Sequence, residues 1–188
     1  MDIIQRAKNI LLQPAQEWPV IEKEQGSIAD IYTSYIVPLA AIGPAASIIG
    51  FSLFGFSTPF AGTIRVPIGS AIGHAVVTYV LSLVGIYVLA MITNSLAPTF
   101  LATKNDMQAL KVAAYSNTAS WLAGAFNLIP ALSFLQILGL YSLYLLYLGL
   151  PVLMKAPEEK AIGFTVAVVI AAIVIFAVVG ALGRALFF

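Results

Sequence analysis

Four long stretches without a charged residue set the pattern of this chain. They run over Ile31–Ile64 (34 residues), Val66–Thr103 (38), the 43 positions between Lys111 and Lys155, and Ala161–Gly183 (23). One helix needs about 20 consecutive apolar residues to cross a bilayer. Each stretch is long enough for one crossing, and the 43-residue stretch is long enough for two. Asn127 to Pro130 breaks that stretch near its middle, so it reads as a helical hairpin with a lysine at each open end. The pattern predicts transmembrane helices at about 33–54, 68–93, 111–128, 131–154 and 161–183. Pro38, Gly43 and Pro44 fall inside the first and predict a kink there. Gly55, Pro59 and Gly62 predict a loop before Arg65.

Residues 2–12 have a different period. Ile3, Ile4, Ala7, Ile10 and Leu11 share one helical face, with Arg6, Lys8 and Asn9 largely on the other. This spacing predicts an amphipathic helix lying in the interface plane, its cations near anionic headgroups. Trp18 is the expected interface anchor. Glu17, Glu22, Lys23, Glu24 and Asp30 predict a wet connector. Residues 1–30 thus read as a cytoplasmic N-terminal segment, and 31–188 as the transmembrane domain.

Composition agrees with this reading. Of the 188 residues 61% are hydrophobic and only 9% charged, against about 25% charge in an ordinary soluble domain. The fold class expected is an all-α integral membrane protein, a five-helix bundle preceded by an interfacial helix. No basic cluster exists to grip nucleic acid. There is no cysteine, so neither disulfides nor thiolate metal sites can form. Charge also predicts topology. The N-terminal segment and the loops after the second and fourth spans hold seven Lys and Arg, against two on the opposite side. The positive-inside rule puts the N-terminus in the cytoplasm and the C-terminus in the periplasm or outside.

Candidate chemistry is sparse. The one histidine, His74, is followed by Thr78 and Ser82 at four-residue intervals on one helical face. With Asn117 and Gln136 these form a candidate intramembrane polar face. Interhelical bonding is the plain reading, and a polar path the sharper one. Gly69 with Gly73, and Ala119 with Ala123, are candidate helix-packing pairs. Every Asp and Glu lies outside the predicted spans, and no nucleotide-binding or metalloprotease motif is present. No catalytic residue, cofactor or metal is therefore expected.

Four stretches carry a resemblance: PAQEWPVI at Pro14–Ile21, IVPLAAIG at Ile36–Gly43, KVAAYS at Lys111–Ser116 and YLGLPVLM at Tyr147–Met154. In that order they resemble the Yip domain family (Ypt-interacting proteins), in its short bacterial form. The resemblance implies five transmembrane helices with a cytoplasmic N-terminus. Eukaryotic members bind prenylated Rab GTPases. The long polar N-terminal region and Asp-Leu-Tyr-Gly-Pro type of motif of those members are absent here, which counts against GTPase binding. The expectation is a non-enzymatic polytopic protein of the bacterial inner membrane, organising membrane or partner proteins. Its partners would be the bilayer and a second copy or another membrane protein. The alternative is a conduit for a small solute or lipid.

Overall fold

A computed structural model describes residues 2–58 and 62–187. The chain is helical apart from one short β-hairpin. Helix α1 (Ile3–Leu12) turns at Gln13 into α2 (Pro14–Lys23). Pro14 opens α2 because the first helical position needs no N–H donor. The wet connector expected there is instead this second helix, with Glu17, Trp18 and Ile21 buried.

The first long helix, Ile28–Phe54, is built of pieces. Ser27 and Asp30 cap it reciprocally. Then come α3 (Ile28–Ile31), a π-helical turn (Tyr32–Ile36), α4 (Val37–Ala40), α5 (Ile42–Ile49) and a second π-helical turn (Gly50–Phe54). The first irregularity immediately precedes Pro38, and the break at Ala41 precedes Pro44. The expected loop that follows is an antiparallel hairpin, β1 (Phe56–Thr58) with β2 (Gly62–Ile64). Pro59 lies outside the described residues.

Helix α6 (Ile68–Leu96) continues through a 3₁₀ turn to Phe100. Asn105 caps α7 (Asp106–Ser116) through its side chain, 3.0 Å from the Gln108 amide. Residues 109–116 of α7 are all buried, which puts this helix at the centre, against α6 and α9. A single transmembrane arm over 111–128 was expected, but α7 ends at Asn117. A short α8 (Thr118–Ala123) and a 3₁₀ turn (Gly124–Leu128) follow. The cause is local: Ser116, Asn117 and Thr118 all bond back to carbonyls of their own helix, at Val112, Ala113 and Tyr115. Such side-chain bonds compete with the regular helical ladder.

The hairpin's other arm starts as an 11-residue 3₁₀ helix (Pro130–Leu140) and continues as α9 (Tyr141–Met154). Helix α10 (Glu158–Phe187) ends the chain, packed on α6 and α9. Among the described residues, three helices are long and apolar enough to cross a membrane: Ile28–Phe54, Ile68–Phe100 and Pro130–Met154. The architecture is therefore an all-α membrane bundle. The expected third span is replaced by the broken α7–α8 segment, and the expected fifth lies within α10.

Candidate functional site

The N-terminal helices are held on the bundle by buried charge. Arg6 is 4% exposed, although its place among polar neighbours predicted a headgroup-facing cation. One guanidinium nitrogen pairs with Glu17 and the other with Glu24. Asn9 donates to the second Glu17 oxygen at 3.1 Å. The guanidinium also stands 5.6 Å from the centre of the Tyr115 ring, within cation–π range. Taking such charges out of water is costly unless each is paired, and here the partners come from the next helix.

Lys111 closes the same region. Its Nζ donates to the Ile21 carbonyl at 2.8 Å and the Glu24 carbonyl at 2.6 Å. These are end carbonyls of α2, where a cation is favoured by the helix dipole. Lys155 pairs with Glu22 one helix away. Below Lys111, the Tyr35 and Thr118 hydroxyls bond at 2.7 Å. A cleft of about 340 Å³ opens among Arg6, Glu24, Asp30, Tyr35, Lys111 and Tyr115. The sequence reading missed this constellation. One signal was available: Glu17, Trp18 and Ile21 fall on one helical face, which places a carboxylate on an otherwise apolar side.

Trp18 is 0% exposed, so it is not an interface anchor. Its indole covers Gly149, where a Cβ would come within 2.7 Å of the ring. Space, not lipid, explains the tryptophan: the missing side chain on α9 makes the slot that it fills. Its Nε1 finds no hydrogen-bond partner among the described residues.

The candidate polar face divides in two. Asn117 and Gln136 line one cavity of about 360 Å³, together with Ser116, Ser120 and Ser142. Within it the Ser120 and Ser142 hydroxyls lie 2.9 Å apart, and Gln136 donates to Asn127 at 2.6 Å. His74, Thr78 and Ser82 are elsewhere on α6. Thr78 lies 3.5 Å from His74 Nε2, and Ser82 bonds to the Tyr79 carbonyl of its own helix at 2.7 Å. None of these three lines the cavity.

The packing pairs also divide. Ala119 and Ala123 are buried, and Ala123 faces Gly139. Gly69 is exposed, with nothing where its Cβ would stand, so no helix of this chain rests there. On α6 it is Ala71 and Ala75 that are buried. The closest backbone approach joins Gly43 to Gly124: a Cβ on Gly124 would come within 2.8 Å of the Gly43 Cα. Among the described residues no three metal-ligating side chains gather.

Comparison with known proteins agrees with this architecture. The inner membrane protein YohC of Escherichia coli K12 is 25% identical over 156 residues, covering 81% of this chain and 80% of its own. The YohC of Escherichia coli O6:H1 matches to the same extent. No solved structure matches. The model of the Yip1 domain matches residues 8–179, nearly the whole chain. The chain belongs to the Yip1 domain family of membrane proteins.

Proposed function

We propose that this chain is a non-enzymatic polytopic protein of the bacterial inner membrane, which organises the bilayer or partner proteins around its N-terminal helices. It crosses five times, with the N-terminus cytoplasmic. The observation that carries this reading is the α1–α2 pair. Buried ion pairs latch it to the bundle, while Ile4 (73% exposed) and Leu12 (69%) turn outward beside Lys8. A helix pair held this firmly that still exposes large apolar side chains is built to meet a surface. The relatives named as inner membrane proteins support the location.

The test compares the wild-type protein with Ile4→Ser/Leu12→Ser in reconstituted vesicles. Vesicle size, retained lipid and self-association are read together. The wild type should retain lipid or a second copy, and the double variant should lose most of that. If the wild type retains neither and the variant matches it, the reading fails.

The cavity around Asn117 and Gln136 favours a second reading, a conduit for a small solute or lipid. The separation of His74, Thr78 and Ser82 from that cavity weighs against a continuous path. Flux of a small solute that responds to Gln136→Leu would revive it. Flux that is absent, or unchanged in that variant, would remove it.

A further inference from the structure

Three contacts fix how the α1–α2 pair lies along α9. Glu22 pairs with Lys155 at one end. Trp18 covers Gly149 in the middle. At the other end the Tyr141 hydroxyl donates to the Leu11 carbonyl at 2.9 Å. The pair therefore stands beside α9 and does not lie across its end. At about 1.5 Å per residue, Tyr141 is roughly 20 Å from Lys155 along the helix. The turn at Gln13 thus reaches at least the depth of one leaflet, about 15 Å of hydrocarbon.

Its outer surface is not apolar enough for that depth. Lys8, Gln13 and Gln16 are exposed there together with Ile4, Leu12 and Val20. The far flank of the bundle differs. Along α10 the exposed residues Ile162, Val166, Ile170 and Ile173 are all apolar, and they begin within one turn of Lys160. Leu140 and Leu143 line the Asn117 cavity together with Val169 and Ile173, so Ile173 is level with the hairpin turn. At one level, then, one flank is apolar and the other is of mixed polarity.

We infer that the α1–α2 hairpin draws the headgroup–acyl boundary of one leaflet down along α9, thinning the bilayer on that flank only. The inference rests on the membrane-organising reading and names its partner: lipid headgroups of the leaflet at the Lys155 end, with Lys8 and Lys23 favouring anionic ones. Submerging a lysine and two glutamines in hydrocarbon costs more than compressing one leaflet locally. A mixed face is the kind that rests at the headgroup–acyl boundary. Tyr141, Tyr144 and Tyr147 stand partly exposed on α9 beside the hairpin, as aromatic residues do at such a boundary.

The absence of cysteine permits a direct test. Single variants Leu12→Cys, Gln16→Cys, Ile173→Cys and Asn105→Cys are labelled with a nitroxide in phosphatidylcholine–phosphatidylglycerol vesicles. Collision with oxygen and with a water-soluble nickel chelate gives each label's depth. All four sites are exposed or partly exposed, so the fold should tolerate the labels; the emission spectrum of the buried Trp18 checks this. Labels at 12 and 16 should meet the nickel chelate several-fold more often than the label at 173, yet several-fold less often than the label at 105. Labels at 12 and 16 shielded as well as at 173 would mean a hairpin sunk in hydrocarbon, and would overturn the inference. Labels at 12 and 16 as accessible as at 105 would mean a hairpin clear of the lipid, and would overturn it equally. Failure of the organising reading would appear elsewhere, in lipid retention and vesicle size.

Discussion

At the scale of single residues, Arg6 is the position whose surroundings differ most from its sequence neighbourhood. Helical spacing placed it among polar residues, and the fold places it between Glu17, Glu24 and the Tyr115 ring. Removing one member of a buried ion pair leaves the other uncompensated, at a cost of about 3–5 kcal/mol. Arg6→Met should therefore lower thermal stability in detergent sharply, and Arg6→Met/Glu17→Gln should recover much of the loss. A double variant no more stable than the single one would show that the pairing is not what holds α1. Gly149 offers a second test. A methyl group there meets the Trp18 ring at 2.7 Å, and overpacking of this kind costs about 1–3 kcal/mol. Gly149→Ala should red-shift Trp18 emission in a Trp121→Phe background, as the ring is pushed from its slot. Neither contact was legible in the sequence. Trp18 and Gly149 are far apart in the chain, and a tryptophan near a predicted span fits an aromatic belt as well as a core.

At the scale of elements, apolar length was legible and regularity was not. The long spans followed from charge-free runs, because excluding charge from hydrocarbon is a matter of composition. The breaks depend on where backbone carbonyls find partners. Ser116, Asn117 and Thr118 are three successive side chains able to bond back to their own helix, and that run marks the end of α7. The GxxxG spacing at Gly69 drew attention to the wrong glycines, since spacing does not reveal which side of a helix meets a neighbour. The crossing of α5 with the hairpin uses Gly43 and Gly124. Gly124→Val should thus abolish the monodisperse folded species in size-exclusion chromatography. Gly69→Val, in open space, should change stability by less than about 0.5 kcal/mol. Equal effects of the two would contradict the assigned crossing.

At the scale of the whole molecule, seven Lys and Arg on one side against two on the other predict where the ends lie. A C-terminal alkaline phosphatase fusion, active only outside the cytoplasm, should be active, and a C-terminal green fluorescent protein dark. The opposite pair of results would reverse the orientation. The latch also imposes an order on synthesis. Glu22 pairs with a lysine 133 residues later, and Leu11 accepts a bond from a tyrosine 130 residues later. A ribosome adds about 5–20 residues per second, so the first two helices wait on the order of ten seconds for their seat to be made. Until then Trp18 has no slot, and the α2 carbonyls lack Lys111 for most of that interval. Docking of the hairpin is consequently a signal that the chain is complete through α9. A nascent chain arrested before Tyr141 should be cut by trypsin at Arg6, and one released after Lys155 should resist.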